Sequence, residues 1–437
     1  MKTTQTPLKP TFLQFFVYWL KLGFISFGGP AGQISMMHQE LVENKRWISE
    51  RRFLHALNYT MILPGPEAQQ LATYIGWLMF GVMGGIVAGV LFVLPSLFIL
   101  SILTWVYLTY GSVDVVAGVL YGIKPAVTAI VIFAAYRIGS KALSNNVLRI
   151  LAIFAFVAIF AFKVSFPYIV LAAAVFGFFG AMFSADTFKT EPHIDKNNDG
   201  CGPALIDDNT PIPEHAKFKW SRVIGFAVIG ITIGVVVMSM LSNPVLDDMA
   251  EFFTKAALVT FGGAYAVLPY VYQGGVEQYT WLTATQMIDG LALGETTPGP
   301  LIMVVAFVGF VGAVTKEIFG PDAIMLSGFV GASVATFFTF LPSFMFIFLG
   351  GPGVEATRGN LKFSAPLSAV TAAVVGVILN LAVFFASAVL WPNTGGSVDY
   401  LAFVIGIGAF IALFRFKVGI MSVIAACAII GYLSILL

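Results

Sequence analysis

The stretch KLGFISFGG at residues 21–29 returns as KAALVTFGG at 255–263, an offset of 234. Held without a gap, that offset sets Glu43 on Glu277, Trp47 on Trp281 and Pro64-Gly65-Pro66 on Pro298-Gly299-Pro300. Across positions 21–66, 12 of 46 residues are identical to their counterparts. The match continues in a shifted register, with Leu94-Pro95-Ser96 answering Leu341-Pro342-Ser343 and AVTA at 126–129 answering AVTA at 369–372. A fixed internal period marks a duplicated architecture, so the chain folds as two homologous halves. The expected division is a first repeat at 1–184, a polar cytoplasmic linker at 185–220, an extra transmembrane helix at 221–244 and a second repeat at 245–437.

Composition decides the solvent those halves meet. Apolar residues make up 58% of the chain and charged residues 10%, and the mean hydropathy is +0.91. A soluble domain carries roughly 25% charged residues, so this chain cannot build an aqueous surface and its solvent is lipid. The expected fold class is an all-α integral membrane protein with broken or re-entrant helices. The net charge of +1 points to no nucleic acid or acidic partner. Two cysteines, Cys201 and Cys427, support neither a disulfide framework nor a metal site. Met1–Pro10 is polar, so no signal peptide is expected.

Charge gives the orientation of the halves. Cytoplasmic loops collect Lys and Arg. The loop after the first FGG holds Lys45, Arg46, Arg51 and Arg52, whereas positions 256–315 contain neither residue type. Loop 137–149 carries Arg137, Lys141 and Arg149 against Asp399 alone in its counterpart. Loop 110–114 carries only Asp114 against Arg358 and Lys362. This swap is the signature of inverted-topology repeats, and the extra segment supplies the odd crossing they require. The expected path dips in and returns over 12–38 and crosses over 53–80. It then makes a tight hairpin at Leu94-Pro95-Ser96 and adds three ordinary spans. The total is about 13 crossings of about 20 residues each.

The helix breaks are where a site belongs, because unpaired backbone at membrane depth is tolerated only inside protein or beside a water-filled cavity. Pro66 and Pro300 suit a first helical position, and the half-helices that begin there aim free N–H groups at the bilayer centre, where an anion can bind. Pro64, Gly65, Pro298 and Gly299 complete the two turns, with Thr296 and Thr297 just ahead of the second. The competing reading is a plain proline kink. Lys21 and Lys255 each precede Ser26-Phe27-Gly28-Gly29 or Thr260-Phe261-Gly262-Gly263 by five residues. Two such cations can neutralise a dianion, with Ser26 and Thr260 donating hydrogen bonds, or they can snorkel to the interface. Lys124, beside Pro125, is a third candidate cation. Glu67 and Glu295 flank the PGP turns, either as proton-coupling groups or as carboxylates answering a helix dipole. The run Asp195-Lys196-Asn197-Asn198-Asp199-Gly200 opens like a calcium loop, but Ile206 stands where its closing Glu belongs.

At these residues the chain resembles the chromate ion transporter family in its long, two-domain form. The run SFGGPAGQISMMHQELVENKRWISERRFLHALNYTMILPGPEAQQLATYIGW (26–77) carries the resemblance in the first half. TFGGAYAVLPYV (260–271) and QMIDGLALGETTPGPLIMVVAFVGF (286–310) carry it in the second. The resemblance implies a bacterial inner-membrane carrier that exports chromate, confers resistance and is driven by the proton gradient, with sulfate as competitor. The expected partners are that oxyanion, protons and membrane lipid, with a homodimer left open and no cofactor, metal or enzymatic activity. A sulfate carrier, an anion channel and an intramembrane enzyme are the alternatives, the last lacking a nucleophile–base or metal constellation.

Reporter fusions after Arg52 and after Tyr279 test the charge argument. They are expected to report opposite faces of the membrane, the first cytoplasmic. Two cytoplasmic signals would refute the inverted arrangement.

Overall fold

The structure is a computed structural model, and it describes residues 7–27, 29–111, 113–183, 203–207, 210–211, 213–261, 263–356, 364–392 and 397–436. The calcium-like run, Gly28 and Gly262 lie outside the described residues. Everything described is helical or irregular apart from one isolated bridge.

The two halves repeat element by element. The first runs α1 (Phe12–Ile25), α2 (Gly29–His38), a π-helical turn Gln39–Asn44, α3 (Glu50–Ile62), α4 (Glu67–Tyr110), α5 (Asp114–Ala142), α6 (Asn146–Phe162) and α7 (Phe166–Phe183). After α8 (Trp220–Met240) comes α9 (Pro244–Val259), α10 (Ala264–Tyr272), a π-helical turn Gln273–Gln278 and α11 (Ala284–Thr296). A 3₁₀ turn Leu301–Met303, α12 (Val304–Thr315), α13 (Ile324–Ala356), α14 (Ser364–Leu390), α15 (Tyr400–Phe414) and α16 (Ile420–Leu436) complete the second half. Even the π-helical turns obey the offset of 234. So do the N-caps of α3 and α11, Ser49 and Thr283, whose hydroxyls each accept from the N–H three residues on.

Two parts of the expected path need correction. No hairpin forms at Leu94-Pro95-Ser96, because Pro95 lies inside a continuous helical stretch. The chain reverses earlier, at Phe80-Gly81, where Gly81 has φ +66. Segment 67–79 then lies antiparallel on 82–92: a Cβ on Gly76 would sit 2.7 Å from that of Ala88, and one on Gly89 2.7 Å from Gln69 Nε2. Segment 53–80 therefore returns to the end where it began. Phe80 packs on Phe12 with ring centroids 5.5 Å apart and lies under Lys9. The linker docks at the same end, pairing Ile206 with Trp47 and setting His215 Nε2 2.8 Å from the Trp77 carbonyl. The second half turns back in the same way, with α12 against α13 at Gly309 and Gly331.

Reciprocal packing joins the halves. Helix α5 lies against α15 and α16, and α14 lies against α6 and α7. Gly118 and Gly122 meet Gly431 backbone to backbone, and Gly376 rests on Ala152. Lipid-like surroundings supply no hydrophobic drive between helices, so close approach over small residues carries the packing. Helix α8 stands apart, touching α13 through Gly230 and exposing Trp220, Ile224, Ile231 and Val235. Five described helices are long and apolar enough to cross a membrane: Glu67–Tyr110, Asp114–Ala142, Trp220–Met240, Ile324–Glu355 and Pro366–Leu390.

Gly309→Ala tests the helix reversal of the second half. Its Cβ would fall 2.7 Å from the Ala335 Cβ and closer still to the Gly331 carbonyl oxygen. Overpacking of this kind costs about 1–3 kcal/mol, expected as a lower melting temperature in detergent. Gly408→Ala, whose Cβ meets open space, is expected to melt as the wild type.

Candidate functional site

The two PGP turns are held by the opposite halves. Gly65 has φ +121 and Gly299 φ +108, conformations that L side chains rarely adopt. The Gly65 N–H donates to the Thr260 carbonyl at 2.8 Å, and the Gly299 N–H donates to the Ser26 carbonyl at 2.8 Å. Each FGG segment thus satisfies the backbone of the other half's break. Gln33 Nε2 donates to the Gly299 carbonyl at 2.5 Å and to the Ser26 carbonyl at 3.3 Å. Gln70 Nε2 donates to the Pro64 carbonyl at 2.7 Å. Pro66 and Pro300 occupy N-cap positions with extended backbone, one residue before the first helical position expected of them. No side chain caps either helix start. The residues that follow, Ala68 and Gln69 in one half and Leu301–Met303 in the other, are buried.

Around this crossing the predicted residues separate into groups. Ser26 is fully buried and its Oγ has no hydrogen-bond partner among the described residues. Thr260 is equally buried, but its hydroxyl donates back to the Ala256 carbonyl, so only its own carbonyl engages the turn. Thr296 and Thr297 likewise bond back to the Leu293 carbonyl. Gly263 (φ +97) faces Glu67, whose Oε1 lies 3.9 Å from where a Cβ would stand. Around Gly29 (φ +69) the corresponding space is open. Glu67 is half-buried at the first residue of α4 and has no hydrogen bond or ion pair among the described residues. Glu295 is buried and accepts from the Tyr265 hydroxyl at 2.5 Å.

The lysines stand elsewhere. Lys21 and Lys255 are exposed on α1 and α9, whose inward faces are Trp19, Leu22 and Gly23, and Phe252, Phe253 and Ala256. Helical phase turns both ammonium groups outward, and Lys255 pairs with Glu251 one turn away. The structure therefore does not bring them to the turns. Lys124 lies 3.5 Å from Asp289, which also accepts from the Tyr107 hydroxyl at 3.0 Å. At the opposite end Arg52 on α3 meets Glu355 on α13 at 2.7 Å, with Tyr74 donating to the same carboxylate. Through Tyr74 and Glu355 one network joins α3 and the start of α4 to α13, and through Tyr107 and Asp289 the other joins α11 to α4.

Sequence reasoning missed Gln33, Gln70 and the Arg52–Glu355 pair. Gln70 carried a signal, one helical turn beyond the PGP break. Gln33 carried none, since its counterpart under the offset is Val267. Among the described residues no group of three or more His, Cys, Asp or Glu could hold a metal ion.

Apolar helices broken at mid-length, with buried polar groups gathered at the breaks, define a multi-pass membrane protein of the transporter class. The chain matches the family described as chromate transporter over residues 13–178 and 248–432, one match in each half, and belongs to it. A chromate transport protein of Pseudomonas aeruginosa is 31% identical over 99% of this chain and 94% of its own length. One from Cupriavidus metallidurans is 30% identical over 86% of this chain and 83% of its own. An uncharacterized transporter of Methanocaldococcus jannaschii is 25% identical over 97% and 94%. No solved structure matches the chain. The family is one of transporters rather than enzymes.

A double-mutant cycle tests the buried pair. Arg52→Leu takes from the Glu355 carboxylate, 1% exposed, the cation that stands 2.7 Å away. Breaking such a pair costs about 3–5 kcal/mol, whereas replacing both members is far milder. Thermal melting is expected to show Arg52→Leu/Glu355→Leu more stable than Arg52→Leu alone.

Proposed function

We propose that this chain is a secondary transporter that exports a tetrahedral oxyanion, chromate with sulfate as competitor, across a bacterial inner membrane. The observation that carries the reading is the crossing of the two PGP turns, where two uncapped helix starts lie buried within reach of both halves. A dianion would supply the charge and acceptors that those N–H groups lack. The names of the relatives favour chromate.

In the proposed topology four re-entrant arms, α1/α2, α3 with 67–79, α9/α10 and α11/α12, enter from opposite faces and meet at mid-depth. Nine described segments cross: 82–110, α5, α6, α7, α8, α13, α14, α15 and α16. Five of these crossings, 82–110 and α5 to α8, separate equivalent points, so the second half is inverted, and the Lys and Arg of the first half place the N-terminus in the cytoplasm. The count is smaller than the one expected from the sequence because 53–80 turns back and 82–110 is a single helix rather than a hairpin, with the same change in the second half. Breaks of this kind at corresponding places in two inverted halves are where alternating-access carriers bind substrate.

Coupling to protons is assigned to Glu67 in preference to Glu295. An unpaired carboxylate at the turn competes directly with a dianion, since like charges repel strongly in a low-dielectric site. Glu295 instead has Tyr265 as a fixed partner. Proton and anion would then occupy the site alternately and link the two fluxes.

Chromate uptake into everted vesicles, with and without a pH gradient and with sulfate added, tests this function. Wild type is expected to accumulate chromate, faster under the gradient and more slowly with sulfate. Glu67→Gln, which mimics the protonated carboxyl, is expected to keep binding chromate and lose the stimulation. Glu295→Gln is expected to keep most of it. A full gradient response in the Glu67→Gln/Glu295→Gln double variant would remove both residues from coupling.

A further inference from the structure

The repeated Leu-Pro-Ser motif has no part in the reading so far. Its serines sit at mid-length of the two long helices, Ser96 in α4 and Ser343 in α13. Each faces the PGP turn of the opposite half. A Cβ on Gly65 would stand 2.5 Å from Ser343 Oγ and 2.7 Å from Gln70 Nε2. A Cβ on Gly299 would stand 2.7 Å from the Ser96 Cβ and 3.0 Å from its Oγ. The two glycines thus open the same small space on pseudo-symmetric sides.

Ser343 is fully buried and its Oγ has no hydrogen-bond partner among the described residues. Many hydroxyls in these helices bond back to a carbonyl four residues earlier, as Thr104, Thr128, Ser333 and Thr339 do. Ser343 makes no such bond, four residues after Thr339 on the same helix. A buried hydroxyl without a partner costs about 1–3 kcal/mol. Beside it lies the uncapped, buried start of α4, whose leading N–H groups have no side-chain acceptor. Donors without acceptors thus converge on one point from two halves, and an acceptor-rich anion is the ligand that satisfies them.

We infer that Ser343 is a substrate ligand, donating its Oγ–H to the oxyanion held at the Gly65 turn. Binding would then engage a long crossing helix of one half and a re-entrant arm of the other through the same anion. The inference rests on the oxyanion-carrier reading above and adds to it a residue that holds the anion.

The test is chromate binding to the purified full-length protein in detergent, by equilibrium dialysis, beside thermal melting of each variant. Ser343→Ala is expected to raise the chromate Kd about tenfold, the loss of one hydrogen bond to a charged ligand. Its melting temperature is expected to hold or rise, since the unpartnered hydroxyl is gone. Ser327→Ala is the control: it removes another buried, unpartnered hydroxyl of α13 and is expected to bind as wild type. Wild-type affinity in Ser343→Ala overturns the proposal while leaving the carrier reading in place. Wild-type protein that binds neither chromate nor sulfate overturns both.

Discussion

The architecture depends on two backbone hydrogen bonds, Gly65 N–H to Thr260 and Gly299 N–H to Ser26. A helix broken in hydrocarbon leaves polar groups that cost several kcal/mol each unless protein satisfies them. The glycine N–H at each break is taken up by the FGG segment of the other half, so the two breaks are completed across the halves even though each half contains all the elements of the repeat. Gln33 and Gln70 reinforce the crossing by donating to carbonyls at the same turns.

The packing follows from that requirement. Arms must come back against the long helices closely enough to bring the breaks into register, and glycine permits it. Gly23 rests on the Leu91 carbonyl, one turn before Pro95, whose ring denies that carbonyl its usual helical donor. Gly76 with Gly84, and Gly309 with Gly331, let segment 67–79 and α12 lie almost backbone to backbone on the long helices that follow them. The buried charges then sit near the two ends of the assembly. Arg52 with Glu355 ties α3 to the long helix α13, and Lys124 with Asp289 ties α11 to α5.

Much of this was legible in the sequence. The offset of 234 located both breaks, both FGG segments and the pairing of α3 with α11, because a duplicated fold keeps its special backbone positions. The path of the chain was less legible. Hydropathy registers apolar length and not direction, so a segment that turns back on itself over 50–79 reads like a crossing. The reversal at Phe80-Gly81 has no proline to announce it, and Pro95, which looked like a break, is accommodated within a helix. Lys21 and Lys255 drew attention because they recur, but recurrence does not give helical phase. The apolar spacing of Phe15, Trp19 and Leu22 did, and it already turned Lys21 away from the core. Ser343 was visible as a motif and silent as chemistry, since nothing in the sequence says which turn it faces.

The placement of charge bears on how a carrier of this design would work. On the proposed reading, the groups nearest the turns are backbone N–H, hydroxyl and amide donors, while the lysines lie on outward faces or in an ion pair with Asp289. A fixed buried cation would hold a dianion tightly and oppose its release on the far side. Neutral donors give a shallower well, and a transported ion must be bound weakly enough to leave as well as strongly enough to enter. Glu67 deepens the contrast, because its carboxylate stands at the Gly65 turn and its sign opposes the anion. A site of neutral donors whose affinity one proton can raise or lower serves transport better than one built for affinity alone.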